Sequence, residues 1–142
     1  MGVSDRSLSM PTRRTRILGV QLYLYHIEGF LHWGYNFYNT WQSFGVLDPY
    51  ASAEGAYFNP AGDCFLVYPG TDGEAWESLR LNALREAMDD MRALALYEAR
   101  FGREAAEALL LDLAGGTLTF TAYPTRDDYL IGLREAIAKA FM

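Results

Sequence analysis

The chain is poor in the residues that build metal frameworks and covalent ones. One cysteine, Cys64, excludes an intramolecular disulfide. One cysteine and two histidines fall short of the four Cys or His ligands that a structural zinc site wants. Positive charge is also short: the net charge is −6, which argues against nucleic acid, because neutralising phosphate needs a surplus of Lys and Arg. No apolar run is long enough to span a bilayer; the best stretch, "ILGVQLYLYHI", is short and broken by Gln21 and His26. The start "MGVSDRSLSM" has no apolar signal-peptide region, and Arg6 stands where a myristoylation signal wants Ser or Thr. These absences predict a cytoplasmic protein, or a piece of something larger, with no membrane partner. No repeat, low-complexity tract or linker is visible.

What is present is ring. "GFLHWGYNFYNTWQSFG", residues 29–45, holds seven aromatic side chains together with His32, Asn36, Asn39 and Gln42. A core strand has no use for that polarity, nor a surface loop for that many rings. The length, 142 residues, is that of a single domain able to bury roughly two thirds of its unfolded surface.

Along the chain, Pro11 suits a first helical turn, and Ile17, Val20, Leu24 and Ile27 follow at helical spacing, with Leu18, Leu22 and Tyr25 on a second side. Gly29 is the expected break. The cluster Arg13, Arg14 and Arg16 reads as a solvated rim rather than a phosphate site. "FLHWGYNFY" (30–38) alternates like a strand, a long punctuated loop runs to Asp63, and "CFLVYPG" (64–70) reads as a strand buried on both faces. Cys64 within it reads as a small buried apolar residue, against the alternative of a thiol served by His26 or His32. Ser78 is placed to cap a helix whose expected stripe is Leu81, Leu84, Met88, Met91 and Ala95, with Arg85 and Asp89 pairing on the far side. Gly102 opens a break, a second helix ends at Gly115-Gly116, and Thr125 with Asp128 forms an expected capping box for the last helix. The adjacent pairs Asp89-Asp90 and Asp127-Asp128 point apart on a helix and read as structural. The order is helix, strand, long loop, strand, three helices: α/β grammar whose two strands alone would leave unpaired edges.

The ordered pieces "RTRILGVQLYLYHIEGFLHWGYNFYN", "DPY", "GDCFLVYPG" and "SLRLNALREAMDDMRAL" together resemble the C-terminal part of the glycoside hydrolase family 123 catalytic domain, over residues 11–102. The resemblance implies an α/β chain that is the C-terminal fragment of a (β/α)8 TIM-type barrel, with 103–142 as a helical C-terminal extension within a single domain, 1–142. It implies a hexosaminidase-like activity on N-acetylgalactosamine-type glycosides, using an adjacent Asp-Glu pair: Glu as general acid, Asp steadying the substrate's acetamido oxygen as nucleophile. This sequence contains no Asp-Glu dipeptide. The expectation is therefore a chain with no catalytic residue of its own, no metal and no cofactor, inactive alone.

Barrel sites lie at the C-terminal ends of strands, which would turn Trp33, Asn36, Tyr38 and Trp41, with Asp48 and Asp63 from the loop, toward an amino-sugar glycoside. Rings stack on the apolar face of a pyranose, while amides and carboxylates bond its hydroxyls. The competing readings are that the rings are core alone, that Asp48 and Asp63 are turn formers, and that His32 is a hydrogen-bonded interior residue. Partners implied are carbohydrate and either a complementing barrel half or a homo-oligomer. The alternative function is a non-catalytic, self-associating α/β domain that binds carbohydrate or a protein.

Overall fold

A computed structural model describes residues 3–40, 43–55 and 59–142. The N-terminal apolar stretch forms two short helices, α1 (Thr12–Arg16) and α2 (Leu18–Leu24), separated only by Ile17. Pro11 stands just before α1 in extended conformation, because its fixed φ and missing N–H suit a helix start. The stretch ends earlier than Gly29: Tyr25 leaves helical geometry and His26 turns left-handed at φ 52°.

The described residues form an antiparallel hairpin of two strands, β1 (Val67–Pro69) and β2 (Ala75–Glu77), in register Val67↔Glu77, Tyr68↔Trp76 and Pro69↔Ala75. A 3-10 turn, Thr71–Gly73, closes it, with Asp72 at φ 58° and Gly73 at φ 82°. Pro69-Gly70 ends β1 as the sequence suggests, but "TDGEAWE" is more than a turn: its last residues return as β2 before the helix begins. Residues 30–38 do not form the expected strand. They pair with 64–67 only in fragments: an isolated bridge Asn36↔Phe65, and bonds from Phe37 N–H to the Cys64 carbonyl (3.0 Å) and from Leu66 N–H to the Tyr35 carbonyl (2.7 Å). The Tyr38 N–H folds back onto the Asn36 carbonyl at 3.1 Å, which ends any ladder there.

Three helices complete the chain: α3 (Leu79–Phe101), α4 (Arg103–Ala114) and α5 (Tyr129–Ala140). Ser78 caps α3 as its position suggests, its Oγ accepting from Leu81 N–H at 3.2 Å. Gly102 at φ 90° turns the chain between α3 and α4, and Gly115 at φ 69° ends α4. No capping box opens α5: Asp128 takes the cap position in helical geometry without a side-chain cap bond, and instead pairs with Arg126 at 2.9 Å.

The buried face of α3 is Arg80, Ala83, Ala87, Asp90 and Leu94, turned from the expected leucine–methionine stripe. Small residues win that face because α2 crosses it closely: a Cβ on Gly19 would lie 1.8 Å from the Ala87 carbonyl oxygen. Leu84, Met88 and Met91 are left half-buried beside it. The main core joins Ile17, Val20 and Tyr23 to Leu94 and, from the C-terminal third, Leu110, Tyr129, Leu133 and Ile137.

Beneath that core sits Asp90, 1% exposed. Arg16 donates to it through Nε (2.6 Å) and Nη2 (2.9 Å), and Arg134 through Nη2 (2.6 Å) and Nε (2.9 Å). The Asp90 carboxylate in turn raises the pKa of Arg16. Arg16 is thus an interior tie rather than part of a solvated rim, and Arg13 pairs with Asp127 at 2.6 Å. The expected Arg85–Asp89 pair is replaced by Arg85–Glu77 (2.6 Å) and Arg92–Asp89 (2.6 Å), because the hairpin brings Glu77 within reach. Among the described residues, no helix is long and apolar enough to cross a membrane.

Candidate functional site

Residues 64–67 are fully buried and anchor the aromatic segment from below. The close approach is made at Gly34, where a Cβ would fall 2.1 Å from the Asp63 carbonyl oxygen. That crossing places Trp33 over Asp63, and the indole Nε1 donates to Asp63 Oδ2 at 3.0 Å. Trp33 is half exposed, its ring edge-on to Phe37 at 5.5 Å. A solvent-facing indole whose polar edge is tied to a carboxylate presents its flat face and one free carboxylate oxygen together.

The other expected residues divide. Asn36 is exposed and its backbone makes the bridge to Phe65, leaving the amide at the surface beside Trp33's segment. Tyr38 points inward: its hydroxyl donates to the Val67 carbonyl at 2.6 Å and its ring packs at 5.7 Å from Phe65. Burial, followed by the neighbouring Tyr50, raises its pKa. Asp48 accepts from the Tyr50 N–H at 2.9 Å and its carbonyl accepts from Ala51 and Ser52, the bonding of a turn former. Trp41 lies outside the described residues. Trp33 and Asp63 therefore meet, Asn36 stands near them in the chain, and Tyr38 and Asp48 serve the scaffold.

A ladder of rings runs on from Tyr38 through Phe65 and Tyr68 to Tyr50, with successive centroids 5.7, 5.2 and 5.2 Å apart. The Tyr50 hydroxyl donates to the Pro69 carbonyl at 3.0 Å, which ties the loop to the hairpin. Trp76 and Arg80 stand at the end of this ladder, lining a groove of about 440 Å³ with Tyr50 and Tyr68. Sequence reasoning passed over these four. Trp76 was the available signal, an aromatic inside the turn-like "TDGEAWE".

His32 and Cys64, near the platform, are both held toward the neutral form. Burial, and then the charge of Arg6, lowers the pKa of His32, and its Nε2 is buried without a partner. Cys64 is buried, accepts from Asn59 Nδ2 at 3.1 Å, and has its pKa raised by burial, which disfavours the thiolate a nucleophile needs. Among the described residues, no three His, Cys, Asp or Glu side chains are grouped to hold a metal ion.

Exposed rings beside a carboxylate suit a pyranose, and the sequence matches accord with that chemistry. Residues 3–97 match the family model described as glycoside hydrolase 123, catalytic domain. No curated protein matches the chain. The matched span takes in α1, α2, the aromatic segment, the hairpin and most of α3. On that match, over more than half its length, the chain belongs to the glycoside hydrolase 123 catalytic-domain family.

Proposed function

We propose that this chain is the sugar-contacting, C-terminal portion of a barrel glycosidase for N-acetylgalactosamine-type glycosides, and that it does not hydrolyse them by itself. Family membership supports the carbohydrate substrate, and the Trp33–Asp63 pair is the observation that carries the contact role. Trp33 supplies a stacking face, Asp63 a hydrogen-bond acceptor for ring hydroxyls, and Asn36 an amide that both donates and accepts. Trp41 is proposed as a further sugar contact, with Tyr38 and Asp48 supporting the platform. The absence of an Asp-Glu dipeptide from the sequence is the reason for withholding hydrolysis, since the substrate-assisted scheme needs both carboxylates side by side.

Incubation of the purified chain with an aryl N-acetyl-β-galactosaminide tests this. The expected result is no release of the aryl alcohol, while the same sugar shifts the Trp33 indole resonance. Turnover by the chain alone would overturn the assignment of its role.

A second reading is favoured by Leu31, Phe44 and Val46, which are 84%, 85% and 83% exposed along the same segment. Such an apolar margin fits a complementing barrel half or a second copy of the chain. Sedimentation of the chain as a monomer at tens of micromolar would remove the second copy.

A further inference from the structure

Between the hairpin and the first turn of α3 lies the open groove lined by Leu8, Tyr50, Tyr68, Trp76, Ser78 and Arg80 among others. Arg80 is 5% exposed. Its Nη2 donates to the Phe65 carbonyl at 2.7 Å and reaches the Tyr68 hydroxyl at 3.5 Å, while Nε and Nη1 have no partner. No carboxylate pairs with Arg80 among the described residues, and the remaining seven (Met1, Gly2, Trp41, Gln42, Ala56, Tyr57 and Phe58) carry no acidic side chain. Glu77, which also lines the groove, is already bound through both oxygens to Arg85. A buried guanidinium without counter-charge is unfavourable, so an anion from outside the chain would be stabilised beside it.

A second feature favours the same occupant. The groove opens at the N-terminus of the 23-residue α3. Ser78 satisfies the Leu81 N–H, which leaves the first-turn N–H groups of Leu79 and Arg80 without intrahelical acceptors at the positive end of the helix. The walls are ring faces. Trp76 and Tyr50 are each at least half exposed, and Gly70 lets the indole fold over the hairpin, since a Cβ there would lie 2.5 Å from Trp76 Nε1.

We propose that this groove binds an acidic sugar, its carboxylate or sulfate held by Arg80 and the first turn of α3 and its ring resting on Trp76 and Tyr50. The sugar half of this statement rests on the carbohydrate reading above, whereas the anion half rests on Arg80 and α3 alone.

The test is a ¹H–¹⁵N titration of the whole chain, read at the Trp76 indole and Arg80 Nε–H, with galactose 6-sulfate, glucuronate, galactose and sodium sulfate as separate probes. The two acidic sugars are expected to shift both signals and to bind about tenfold more tightly than either galactose or inorganic sulfate. Trp76→Ala should remove that advantage over inorganic sulfate, and Arg80→Met the advantage over galactose. Equal binding of galactose overturns the anion half, equal binding of inorganic sulfate overturns the sugar half, and no binding of either acidic sugar overturns both. If Arg80→Met fails to fold, the comparison of probes on the unaltered chain still decides. A response here without one at Trp33 would leave this groove standing and remove the platform reading.

Discussion

Asp90 ties α1, α3 and α5 through two guanidinium groups, and its own burial means that nothing else solvates it. Asp90→Asn keeps the shape but removes the charge facing Arg16 and Arg134, and is expected to lower unfolding stability by about 3 kcal/mol. Urea denaturation checks it, with Asp89→Asn, half-exposed beside Arg92, as the control expected to change little. His32 supplies a pH dependence. Its pKa is lowered in the folded chain, so as pH falls through the ordinary histidine range the unfolded chain takes up the proton first and stability falls. The melting temperature should drop between pH 7.5 and 5.5, and His32→Gln should flatten that slope. A His32 proton-resonance midpoint at or above that of free histidine would contradict the sign. At this scale the sequence spoke unevenly. Ser78 as a cap and Cys64 as a buried residue were legible because each depends on near neighbours. Asp90's partners lie 74 and 44 residues away, so no local pattern could mark it as the buried member of its pair.

Among the elements, α2 and α3 meet through glycine and alanine rather than through leucine. Gly19→Ala puts a methyl into the Ala87 carbonyl, and the helices must part; a loss of about 1–3 kcal/mol is expected from thermal or urea unfolding. Periodicity located α3 correctly but not its buried side, because a hydrophobic stripe marks the apolar face and here close backbone approach decided the contact. Ser78→Ala should cost about 1 kcal/mol, the usual worth of a side-chain N-cap. The aromatic run 30–38 alternates as a strand would, yet only the Asn36–Phe65 bridge forms, since the Tyr38 N–H folds back onto the Asn36 carbonyl and ends the ladder. Within the site, Trp33 and Asp63 were legible as a ring and a carboxylate, their sugar role being only what the family resemblance implies. Their bond was not, because it requires the crossing at Gly34.

For the whole molecule, the core does not stop where the family match stops. Leu110, Tyr129, Leu133 and Ile137 pack with Val20 and Leu94, so residues 103–142 are structurally continuous with the matched span. Truncation after Gly102 should abolish cooperative melting followed by circular dichroism, whereas a detachable extension would leave the transition intact. The aromatic surface of this family member is proposed to contact an amino sugar. That contact is tested most directly by a ¹H–¹⁵N titration with N-acetylgalactosamine that follows the Trp33 indole N–H, which now donates to Asp63. A saturable shift at that resonance, lost in Asp63→Ala, is the predicted result; an indole signal unmoved at saturating sugar would contradict it.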